Sequence, residues 1–166
     1  MSKYISILIL LSFILLIRCE EEKVDKPVFG NLVSNTICKN LYFYSEKSTT
    51  DRNISCIRYL YVLSTRTLRI THENAGFNCC PGNLSAKVTV EGNTITIAEE
   101  EEIAGCNCLC LYDLEIELYN VNPELYLIKI EELYINDHEP LLGSIDLGDS
   151  TTGSFCVTRE FYPWGE

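Results

Sequence analysis

Along most of this chain apolar and polar side chains alternate residue by residue, and no window of about a dozen residues carries a helical period with caps. Alternation sends every second side chain to one face of a strand. The segments LYFY (41–44), CIRYLYVL (56–63) and TLRITH (67–72) are rich in aromatic and β-branched residues, which suit a pleated surface. The segment KVTVEGNTITI (87–97) predicts a hairpin, with Val88 and Val90 on one face, Ile95 and Ile97 on one face, and Gly92-Asn93 at the turn. Two longer strands are expected on either side of Asn122-Pro123-Glu124, and two short ones in the tail 143–164. Many short strands separated by turn residues point to an all-β, antiparallel β-sandwich, here a single domain over residues 29–166. A polar face opposite each apolar face fits antiparallel pairing. Val88, Val90, Ile95, Ile97, Leu114, Ile116, Leu118, Ile128 and Ile130 are expected to be buried, and Glu115 and Glu117 exposed.

The N-terminus has a different character. Lys3 precedes an uncharged run from Tyr4 to Ile17, shorter than the about 20 residues of a membrane span. It fits the apolar centre of a secretory signal occupying residues 1–18. The sequence Leu16-Ile17-Arg18-Cys19 resembles the lipobox of bacterial lipoproteins, with Arg18 where that class carries a small residue. The resemblance implies lipid attachment to Cys19, which becomes the new N-terminus, and a place in the cell envelope. Residues 19–28, charged and without an apolar period, read as an acidic tether. The net charge is −11, and loss of residues 1–18 with Lys3 and Arg18 makes it more negative. A chain this acidic, lacking any basic run, repels nucleic acid and anionic headgroups.

The chain has nine cysteines. With Cys19 set aside, Cys38, Cys56, Cys79, Cys80, Cys106, Cys108, Cys110 and Cys156 form an even set in an exported chain, which reads as a disulfide framework. If Cys106–Leu118 is one strand, Cys106, Cys108 and Cys110 share its apolar face, about 6.6 Å apart. That is too far for a disulfide, whose Cβ atoms stand within about 4.5 Å. Adjacent Cys79 and Cys80 are also poor mutual partners. These exclusions roughly halve the 105 possible pairings of eight cysteines. Cys79, Cys80 and Cys156 are the nearest candidate partners of the three strand cysteines. The alternative is a metal site in which Cys79, Cys80, Cys106, Cys108 and Cys110 converge with His72, since soft thiolates suit zinc or copper(I). The spacings C-x-C-x-C and C-C are unlike the knuckles that wrap zinc, so disulfides are expected and no cofactor is.

The order of CCPG, hairpin, CNCLCLYDL and closing SFCVTREFYPW is similar to uncharacterised cysteine-rich bacterial lipoproteins, and the N-P-E-L-Y turn is similar to immunoglobulin-like surface modules. Neither resemblance implies an activity. His72 shares strand parity with Leu68 and Ile70, His138 lies in a turn, and neither belongs to a known catalytic spacing. Residues Glu99–Glu102 read as a solvated loop. The sequons at Asn53 and Asn83 matter only in a eukaryotic secretory pathway. Tyrosines 42, 44, 59, 61, 112, 119, 126 and 134 fall in strand-like segments, as cross-strand packing or as a binding face. The functional expectation is a non-enzymatic binding or structural module, membrane-anchored through its lipid, with an envelope protein or a ligand as partner.

Overall fold

The computed structural model describes residues 26–39 and 51–160. Among the described residues nine strands form two sheets: β1 (Phe29–Asn35), β2 (Ile54–Val62), β3 (Thr67–Asn78), β4 (Leu84–Glu91), β5 (Thr94–Glu101), β6 (Leu109–Tyr119), β7 (Leu125–Glu131), β8 (Leu142–Asp146) and β9 (Thr152–Thr158). The first sheet has the order β1-β6-β3-β2-β9 and the second β4-β5-β7-β8. No helix occurs among the described residues. The expected β-sandwich is therefore present. LYFY, Tyr42 and Tyr44 included, lies outside the described residues, as does Cys19.

One pair departs from the antiparallel expectation: β5 and β7 run parallel, with Ile95 opposite Ile128 and Ile97 opposite Ile130. The connectivity explains it. The chain leaves β5 for the other sheet, runs through β6, and returns beside β5. Two reversals restore the original direction.

The expected hairpin forms as β4–β5, with Glu91 paired to Thr94 across Gly92-Asn93. Gly92 has φ +58°. A positive φ at the first turn position suits glycine and the twist of the flanking strands.

The core lies between the sheets. Leu68 and Ile70 of β3 face the same interior as Leu118 and Ile116 opposite them on β6. Ile95, Ile97, Ile128 and Ile130 close it from the second sheet. Burying each such side chain contributes roughly 1.5–3 kcal/mol. Val88 and Val90 are only half-buried, because β4 is a sheet edge that meets β1, the edge of the facing sheet. Gly30 on β1 allows this approach: a Cβ there would stand 3.1 Å from Val88 Cγ2 and 2.7 Å from the Glu117 carbonyl. Glu115 is exposed as expected, whereas Glu117 is partly covered by the ion pair it makes with Arg69 Nε at 2.6 Å.

The long strand expected over Cys106–Leu118 begins only at Leu109, and its inward parity holds unbroken from Cys110 to Leu118. A bulge sits in the partner strand, between His72 and Ala75 of β3. Asn74 occupies it at φ +63°. Its backbone N–H donates to Asp113 Oδ1, and its side-chain amide donates to the carbonyls of Asp51 and Ile54. The extra residue switches the inward parity of β3 from His72 to Ala75 and Phe77, so both halves of the strand face the core.

Candidate functional site

At one end of the sandwich, the inward apolar row of five strands terminates in a polar residue. The row of β2 begins with Ser55 before Ile57. That of β3 runs Leu68, Ile70, His72, and that of β5 runs Ile95, Ile97, Glu99. Ile128 and Ile130 lead to Glu132 just beyond β7, and Val157 leads to Arg159 just beyond β9. All five polar residues are buried.

His72 is the hub. Its Nε2 lies 2.8 Å from Ser55 Oγ and its Nδ1 2.5 Å from Glu99 Oε1. With a carboxylate at Nδ1, that nitrogen carries a proton and donates to Glu99. Glu132 Oε1 stands 4.0 Å from Nε2. Arg159 Nη2 donates to Glu132 Oε2 at 2.5 Å, and Nη1 donates to the Glu139 carbonyl. Burial pulls the His72 pKa down, but the charge and hydrogen bond of Glu99, with the charge of Glu132, overcome it and leave the value raised. Burial also raises the Glu132 carboxyl, outweighing the attraction of His72 and Arg159. Glu99 Oε2 and Glu132 Oε1 have no hydrogen-bond partner among the described residues.

The distances Ser55–His72–Glu99 are those of a nucleophile triad. The setting is different. Ser55 and His72 are 0% exposed and Glu99 2%. A recess of about 310 Å³ lies elsewhere, on the outer face of β1, β3 and β6 beside Val33, Arg69, Thr71, Glu115 and Glu117. A reacting carbonyl has no approach to Ser55 Oγ in this conformation, so the cluster holds protons and charge inside the fold.

The cysteines gather at a second place. β3 and β6 pair as far as Asn78 opposite Leu109, and Cys79 N–H still donates to the Cys108 carbonyl. Beyond that, Cys79 bonds Cys108 and Cys80 bonds Cys106, over 29 and 26 residues. Cys110 bonds Cys38, and Cys56 bonds Cys156 across the β2–β9 ladder. No disulfide joins two of Cys106, Cys108 and Cys110, and Cys79 and Cys80 take separate partners. Of the three, only Cys110 lies in the core; Cys108 is exposed and Cys106 half-buried. Asn78 is the reason. Its Oδ1 accepts the N–H groups of Cys80 and Cys106, and its Nδ2 donates to the Cys106 carbonyl. These bonds peel both chains out of the ladder.

The convergence of Cys79, Cys80, Cys106, Cys108 and Cys110 with His72 is not what the structure contains. Those sulfurs are bonded to other sulfurs, and His72 lies in the buried cluster. Among the described residues no group of three or more His, Cys, Asp or Glu side chains is arranged to hold a metal ion.

The Glu run is corrected as well. Glu99 to Glu101 continue β5 instead of forming a solvated loop. Glu99 points inward, Glu100 accepts from Ser85, and Glu101 accepts from Tyr134 and from Asn78 N–H. Glu102 accepts from the backbone and side chain of Asn83. Tyr61, Tyr112 and Tyr126 are core residues, and Tyr59, Tyr119 and Tyr134 are partly covered, so the described tyrosines do not line one outer face. His138 N–H donates to the Ile135 carbonyl within a turn of the β7–β8 connection.

The signal that could have located Glu99, Glu132 and Arg159 was the period of two carried one step beyond each apolar row. Nothing in sequence joined the three to His72. Comparison with family models, with curated proteins and with solved structures returns no match.

Proposed function

We propose that this chain is an exported, lipid-anchored, non-catalytic module of the cell envelope that binds another envelope protein or a ligand, or serves a structural role there. The observation that carries export is the set of four disulfides, which suits an oxidising compartment. The lipobox-like ending at Cys19 supports the anchor. The closure of Ser55, His72 and Glu99 from solvent supports a non-catalytic role. The acidic balance disfavours nucleic acid as a partner.

Intact mass of the native protein, before and after reduction and alkylation, tests the reading. The expected result is a chain beginning at a lipid-modified Cys19 whose eight other cysteines alkylate only after reduction. Cys19→Ala should move the protein from the membrane fraction to the soluble one. A mature chain starting elsewhere would overturn the anchor, and free thiols in the native protein would overturn the framework.

A further inference from the structure

The buried cluster has a charge balance that depends on one proton. His72 and Arg159 face Glu99 and Glu132, two potential cations against two potential anions, with side-chain exposures of 0–1%. The groups come from β2, β3, β5 and the residues just beyond β7 and β9. Ser55 is the neutral member, and Leu114, opposite His72 on β6, is apolar. With the imidazole protonated, the four charges cancel. Without that proton, a net negative charge remains on side chains closed from bulk solvent, which is costly.

The members are not held equally. Ser55, His72 and Glu99 lie within strand ladders. Glu132 begins the connection from β7 to β8, and Arg159 follows the last residue of β9. Arg159 ties both ends of that connection, through the Glu132 carboxylate and the Glu139 carbonyl. The least costly way to rehydrate the excess negative charge is therefore to swing Glu132 and its connection away from the sheets.

We propose that Ser55, His72, Glu99, Glu132 and Arg159 form a proton-operated latch, which holds the segment 132–141 against the sandwich while His72 is protonated and releases it when that proton leaves. The sign follows from the raised value of His72. A histidine raised above its ordinary 6.5 contributes stability that is complete below pH 6.5 and is lost as the pH climbs through its folded value. Glu132, raised by burial, acts in the same direction, and the two titrate as a coupled pair. Between pH 6.5 and the folded value, linkage of one proton changes the opening equilibrium by about tenfold per pH unit, and above the folded value the dependence levels off.

The test uses the full chain with its disulfides intact. Imidazole resonances of the two histidines are followed by NMR between pH 5 and 10, His138→Gln making the assignment. Protection factors of the amides in 132–141 are measured over the same range by hydrogen exchange. The expected result is a His72 titration above pH 6.5, with protection in 132–141 falling by about tenfold per unit between pH 6.5 and the His72 midpoint and levelling off beyond it. His72→Gln, neutral at every pH, should remove that dependence. Titration of His72 at or below 6.5 would overturn the latch, and so would a raised titration that leaves protection in 132–141 unchanged. If His72→Gln does not fold, the wild-type titration and exchange decide alone.

Discussion

Arg159 and Glu132 are bonded at 2.5 Å with side-chain exposures of 0% and 1%. The Coulomb attraction of such a pair is large in a dry interior, but so is the cost of stripping water from both ions. The pair need not stabilise the fold relative to two apolar residues. Losing one member is different, because the other is left charged and buried. Arg159→Met should therefore cost about 3–5 kcal/mol in urea unfolding. The double variant Arg159→Met, Glu132→Met should recover most of that loss. A single variant within about 1 kcal/mol of wild type would mean that water already reaches Glu132.

Strands β8 and β9 come from different sheets and meet where Phe155 packs on Gly143. A Cβ on Gly143 would stand 2.5 Å from Phe155 Cγ. The bare backbone of β8 thus forms the seat for the Phe155 ring, which closes this side of the sandwich. Gly143→Ala should destabilise by about 1–3 kcal/mol through overpacking. In Phe155→Ala the same substitution should be nearly neutral, and chemical denaturation of all four proteins gives the coupling. Independent, additive effects would place the ring elsewhere. On the opposite side β1 closes the sandwich, and its sequence FGNLVSN hides the alternation. Val33 shares the outward parity of Phe29 and Asn31, and the register slips there, between Leu32 and Ser34.

Over the whole molecule the disulfides act on the unfolded chain. Cys56–Cys156 spans 100 residues and joins the β2 and β9 strands of one sheet, and Cys38–Cys110 spans 72. A disulfide typically contributes 2–4 kcal/mol by restricting the unfolded ensemble. Replacing Cys56 and Cys156 together by serine should lower stability by that order, read from denaturant midpoints. Thiol titration of the denatured, unreduced chain should find no free thiol among the eight cysteines beyond Cys19. Four or more would contradict the pairing.

Strand identity is local information. The rows Val88/Val90, Ile95/Ile97 and Leu114/Ile116/Leu118 alternate because backbone geometry sends neighbours to opposite faces, and that held in the fold. Local too was the rule that strand cysteines two apart cannot bond each other, which narrowed the pairings and left a choice among them. Which strands become neighbours depends on how two sheets wrap one core, a long-range matter no segment carries. So β3 beside β6 and the parallel β5–β7 pair became visible only in three dimensions. The choice of partner for Cys106 and Cys108 waited on Asn78, whose hydrogen bonds bend both chains out of register. The acidic run shows the limit most clearly. In sequence Glu99 is one of four consecutive glutamates, and water is the cheapest place for a carboxylate. It is buried because β5 carries it one step past Ile97, to where another strand supplies His72. Only the meeting of the two sheets puts an imidazole within reach of that carboxylate, and a buried charge is stable where such a partner stands.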